Sequence, residues 1–181
     1  MPEITEGAAL WEPSPERRER SQMAGYMRWL AEKPGLRFDS YEALWQWSVT
    51  ELEAFWASLW AYFAIRASTP YTRVLDERKM PGARWFEGAT LNYAEHAFRH
   101  ASSAHPAIIA LSEIRPRQEI SWAALRADVA SVAAALRDMG VKPGDRVVSC
   151  MPNIPETLVA FLACASLGAV WSSCSPDMGL G

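Results

Sequence analysis

Between Ile120 and Asp177 the sequence alternates strand and helix signals with few residues to spare, and that order limits the fold more than any other feature of the chain. Ser121 stands before a stripe of Leu125, Val129, Val132 and Leu136 at helical spacing, and Gly140 is placed to end that helix in a left-handed conformation. The turn Lys142-Pro143-Gly144-Asp145 feeds Arg146 to Met151, a run apolar enough to predict a strand buried on both faces. Pro152-Asn153-Ile154-Pro155 then opens a helix to Leu167, Gly168 closes it, and Ala169 to Ser173 reads as a further strand. Strand, helix and strand in this order predict a right-handed βαβ crossover within a parallel α/β sheet. No later segment supplies the strands that would complete the sheet, so the chain is expected to be a truncated part of a larger enzyme.

Upstream the pattern changes. Of nine tryptophans, Trp11, Trp29, Trp45, Trp47, Trp56 and Trp60 fall in the front third, which predicts a separate helical packing unit. Ser14-Pro15 is a helix start, followed by the stripe Met23, Tyr26, Met27 and Leu30 and a stop at Pro34-Gly35. Ser40 starts a second helix carrying Tyr41, Leu44, Trp45 and Ser48. Thr50 and Glu53 have capping-box spacing ahead of Leu52, Phe55, Trp56, Leu59 and Phe63. Large rings at spacings of three and four contribute mainly by burial, so they read as core and not as a cofactor box.

From Ala67 to Glu87 the periodicity is lost, and Pro70, Pro81, Gly82 and Gly88 mark an irregular surface connector. A helix from Leu91 to Arg99 follows. Ala107 to Leu111 is a strand, Arg115-Pro116 a turn, and Gln118 to Ile120 its hairpin partner.

Composition excludes several classes. The net charge is −3 and the basic residues are interleaved with acids, as in Glu16 to Arg20, which leaves no electrostatic footprint for nucleic acid. The start Met1 to Glu6 has neither the basic nor the apolar segment of a secretory signal, and the apolar run Leu158 to Val170 falls short of the ~20 residues that span a bilayer. A cytoplasmic chain that meets no membrane is expected. Cys150, Cys164 and Cys174 are too widely spaced for a disulfide framework or a zinc site and read as reduced core thiols.

Ligands of open parallel sheets gather beyond the carboxyl ends of strands, which points to Met151-Pro152-Asn153 and Cys174-Ser175-Pro176-Asp177. Asn153 is also a good turn and helix-entry residue, and Ser172, Ser173 and Ser175 are ordinary loop polarity. His96 and His100 lie four apart, but Glu95 precedes the pair and the order His-Glu-x-x-His is absent, so solvent-facing histidines are expected and no metal site. There is no Gly-x-Ser-x-Gly, Gly-x-x-x-x-Gly-Lys or Gly-x-Gly-x-x-Gly. By its own chemistry the chain carries no catalytic residue.

Gly140-Val141, Gly144-Asp145-Arg146-Val147, Pro152-Asn153, Glu156 and Leu167-Gly168-Ala169-Val170 resemble the early part of the large domain of the acyl-adenylate-forming superfamily, which includes acyl-CoA synthetases and luciferases. Met80 to Glu95, MPGARWFEGATLNYAE, resembles the lead-in of its acetyl-CoA synthetase branch, and most of all the acetoacetate–CoA ligases; the Trp-rich front third resembles that branch's helical N-terminal cap. The resemblance implies an α/β fold in which the cap precedes the first, incomplete part of the adenylate-forming sheet. It divides the chain into a cap over 1–66, a connector with one helix over 67–104 and the truncated start of an AMP-binding domain over 105–181.

The implied reaction joins ATP, acetoacetate and coenzyme A with Mg²⁺, giving acetoacetyl-CoA, AMP and diphosphate. The family's phosphate loop, adenine and ribose contacts and adenylation lysine would follow residue 181, so this segment is expected to bind none of these cofactors and to be inactive alone. Ser175 and Pro176 correspond to a loop near the coenzyme A pantetheine tunnel, although this sequence has Ser-Pro-Asp where acetyl-specific relatives are Gly-rich. A ligase of acetate or another short acid, and a non-catalytic binding module, remain as alternatives. The unfinished sheet implies self-association or docking through its open edge.

Overall fold

The structure, a computed structural model, describes residues 6–99 and 101–178 and divides the chain into two compact units. The first comprises residues up to Ile65 together with Tyr71–Ala89, and the second Arg66–Pro70 together with Thr90 onward.

The first unit opens with α1 (Pro15–Glu19) and α2 (Gln22–Glu32), where the sequence predicts one continuous helix. Ser21 causes the break: it takes an extended backbone and its hydroxyl accepts from Ala24 N at 3.1 Å, restarting the helix. α3 (Tyr41–Thr50) is capped by Ser40, whose hydroxyl accepts from Ala43 N at 3.1 Å. α4 (Leu52–Tyr62) starts without the expected capping box, because Thr50 belongs to α3 and donates its hydroxyl back to Gln46 O at 3.0 Å.

Tyr26, Leu30 and Leu44 form the buried centre of this unit, surrounded by Trp29, Phe38, Trp47, Phe55 and Tyr62. Burying a side chain of Leu size contributes about 1.5–3 kcal/mol, so this small cluster is the chief stabilising element among the helices. Three of the ring pairs meet edge to face, as Trp47 and Phe55 do at 5.8 Å between centroids, an arrangement favoured by their quadrupoles. The Tyr26 hydroxyl hydrogen-bonds Ser58; burial pushes the phenol up and the Ser58 bond partly offsets this.

The aperiodic stretch after Ala67 contains two strands, β1 (Arg73–Leu75) and β2 (Trp85–Glu87), paired antiparallel with Arg73 opposite Glu87. Three residues are too few to display a period, which is why the sequence pattern does not reveal them. They pack on α4: Trp56 meets Trp85 edge to face at 5.4 Å, and Trp60 lies 4.6 Å from Phe86. Phe86 sits at φ 49°, a left-handed position costly for a bulky side chain, and its ring is held by both Trp60 and Tyr71.

The second unit contains α5 (Tyr93–Arg99), the hairpin β3 (Ile108–Ala110) and β4 (Gln118–Ile120), α6 (Trp122–Asp138), β5 (Arg146–Cys150), α7 (Pro155–Ser166) and β6 (Val170–Cys174). The hairpin pairs Ile108 with Ile120 as its sequence predicts, and Ser121 caps α6 by accepting from Ala124 N at 3.1 Å. Ala94, Leu125, Val129, Ala133, Val159, Leu162 and Ala163 make its core, joining α5, α6 and α7.

β5 and β6 pair in parallel, from Arg146 opposite Val170 to Cys150 opposite Cys174, across the intervening α7. This is the expected βαβ unit. The expected burial on both faces is not found, however: β5 alternates exposed and half-buried residues. Trp171, in register with Val147, lies 6.2 Å from Phe161 of α7 and so faces the helices. Val148 and Val170 point the other way and are 74% and 53% exposed. Among the described residues, helices cover one face of this sheet and the other is open.

The cysteines also depart from expectation. Cys164 is fully buried in α7, whereas Cys150 and Cys174 are exposed, opposite each other at the ends of β5 and β6.

Candidate functional site

The carboxyl ends of β5 and β6 are the part of a parallel sheet where ligands collect, and they carry the loops that the sequence singles out. After β6 the chain turns at Ser175. Its hydroxyl donates to Asp177 Oδ2 at 2.9 Å and accepts from Asp177 N at 3.3 Å, while Met178 N donates to Ser175 O at 3.2 Å. Ser175 is half-buried and Pro176 exposed. The loop is a self-contained hydroxyl turn with its polar groups satisfied locally.

After β5 the chain enters α7 through Pro152, Asn153 and Ile154. The helix cap is Ile154 and not Asn153; Thr157 completes the entry by donating its hydroxyl to Pro152 O at 2.7 Å. Pro155 suits the first helical position because no intrahelical bond needs its missing N–H.

Asn153, Pro152 and Leu158 line a cavity of about 580 Å³ whose opposite wall is the β3–β4 hairpin, with Ile108, Ile114 and Arg115. Arg115 reaches across to Glu156, Nη1 to Oε1 at 3.1 Å. Glu156 is held below its ordinary pKa by backbone N–H at the start of α7 and by the Arg115 guanidinium. Both partners are more than half exposed, so their pairing contributes little to stability and serves to hold the hairpin tip near α7. The cavity lining carries one hydroxyl, that of Ser112, and no carboxylate, histidine or cysteine; its walls suit binding an apolar group beside one cation. Its forewarning in the sequence is the place of Pro152-Asn153 beyond β5; the Arg115-Pro116 turn that forms its other wall carries no such signal.

His96 is not solvent-facing as expected. Its Nε2 lies 3.2 Å from Arg66 N and 3.0 Å from Arg66 O, so it fastens α5 to the segment at Arg66. His100 lies outside the described residues. Among the described residues, no three His, Cys, Asp or Glu side chains gather to hold a metal ion, and no helix is long and apolar enough to cross a membrane. Ser172 lies on the open face of the sheet and Ser173 on the helix-facing side. Ser149, in register with Ser173, has a buried Oγ without a hydrogen-bond partner.

Comparison with known proteins assigns this architecture. Residues 41–97 match the family described as acetyl-coenzyme A synthetase N-terminus, and residues 98–181 match AMP-binding enzyme. The chain therefore belongs to the AMP-binding, acyl-adenylate-forming superfamily, on its acetyl-CoA synthetase branch. Within that branch it is similar to the N-terminal part of acetoacetyl-CoA synthetases. The Rhizobium meliloti (strain 1021) protein of that name is 42% identical over 94% of this chain and 26% of its own length, and that of Gallus gallus is 41% identical over 99% and 27%. Malonamoyl-CoA synthetase vrtB of Penicillium aethiopicum is 35% identical over 94% of this chain and 24% of its own. The solved acetoacetyl-CoA synthetase from Streptomyces lividans superimposes with a TM-score of 0.88 at 48% identity, over 93% of this chain and 27% of that one. The chain spans about a quarter of the length of these relatives.

Proposed function

We propose that this chain is the N-terminal part of an acetoacetate–CoA ligase, in which it supplies the helical cap and the opening strands of the nucleotide-binding domain and none of the reacting groups. The observation that carries this reading is the unbroken similarity to acetoacetyl-CoA synthetases over nearly the whole chain, joined to a close match with one solved member. The complete reaction would consume ATP, acetoacetate and coenzyme A and yield acetoacetyl-CoA, AMP and diphosphate.

The residues present do not fit ATP or Mg²⁺. The sequence has no Gly-rich phosphate loop ending in Lys, and the described residues make no metal-ligating cluster. For coenzyme A we assign only Ser175 and Pro176, as a wall near the pantetheine path, supported by their place just past the carboxyl end of β6. The assignment of 1–66 to the cap, 67–104 to the connector and 105–181 to the start of the AMP-binding domain, and a cytoplasmic location, belong to the same reading. In isolation the open face and edge of β6 would bring copies of the chain together.

A second reading is favoured by one relative. Acetoacetate and malonamate, the acids named by the relatives, are both short and carry a carbonyl on the carbon β to the carboxylate. The substrate class is therefore a short β-carbonyl acid, with acetoacetate as its first member. Replacing the matching segment of the Streptomyces lividans enzyme with this chain and measuring diphosphate release tests this. Release with acetoacetate near the rate of the parent enzyme supports the reading; a folded chimera without release removes it, and a shift toward malonamate relative to the parent selects the second.

A further inference from the structure

We draw no further inference here: the strongest candidate, the cavity between the β3–β4 hairpin and the start of α7, belongs to the site already described, and nothing in the structure shows what covers its exposed apolar wall at Leu111 and Ile114.

Discussion

The Asn92 side chain serves two helices at once. Its Oδ1 accepts from Glu95 N at 3.3 Å at the start of α5, and its Nδ2 donates at the end of α7 to Ser166 O at 3.2 Å and to Ala165 O at 3.0 Å, which also accepts from Gly168 N at 3.1 Å. Asn92→Ala is expected to cost roughly 0.5–1.5 kcal/mol in denaturant titration, the net worth of a hydrogen bond lost between the two helices. Asn92→Asp keeps the cap and loses the donors, so recovery of full stability by Asp would show that the link to α7 contributes nothing. Asp76 is the corresponding residue in the first unit. Its side chain is 7% exposed and accepts from Arg84 Nε at 2.9 Å, Arg84 N at 2.8 Å and Glu77 N at 2.6 Å. Arg84 holds the carboxyl well below the usual range, first through its side-chain hydrogen bond and then through its backbone N–H. The unfolded chain therefore takes up the proton first: the contribution of Asp76 is complete above about pH 4 and is lost as pH falls below that value. Acid titration of tryptophan fluorescence should show this loss, and Asp76→Asn should flatten it; an unchanged acid slope in the variant would contradict the assignment.

Among elements, the βαβ unit depends on its turn. Gly168 ends α7 at φ 73°, and a Cβ placed there would lie 3.4 Å from Pro143 Cβ, while Gly168 O accepts from Gly144 N at 2.9 Å. Gly168→Ala is expected to destabilise the chain by roughly 1–3 kcal/mol, the cost of a non-glycine residue in the left-handed region, its Cβ making only ordinary contact with Pro143. A change within about 0.5 kcal/mol, the ordinary range of surface substitutions, would show that the left-handed backbone at this turn is not required. This unit is the part of the fold most legible in the sequence. Gly140, Gly144 and Gly168 punctuate it, Ser121 caps its first helix, and the apolar runs are long enough to show a period. Legibility fails where the deciding signal is local and short: the hydroxyl of Ser21 breaks a helix that hydrophobic spacing runs straight through, Thr50 turns back into α3 instead of capping α4, and β1 and β2 are three residues each. The candidate site was legible only in part. The position beyond β5 and β6 follows from topology, whereas the cavity wall at the β3–β4 hairpin depends on a turn whose placement no spacing encodes.

Across the whole molecule, the two units are built by different means. The first is a small aromatic cluster around Tyr26, Leu30 and Leu44, and the second a helix-backed parallel pair with one face open. Parallel strands are normally covered on both faces, so Val148 and Val170 mark the surface on which further chain would pack in a complete ligase. On the function proposed above, the chain is scaffold to the ligase and its partner segments supply the reacting groups. The measurement that tests it most directly is diphosphate release from ATP with Mg²⁺, acetoacetate and coenzyme A, by the chain alone and by the chain mixed with the remaining segment of a homologous acetoacetyl-CoA synthetase. The account predicts no release above background from the chain alone and acetoacetate-dependent release from the mixture. Turnover by the chain alone would contradict it.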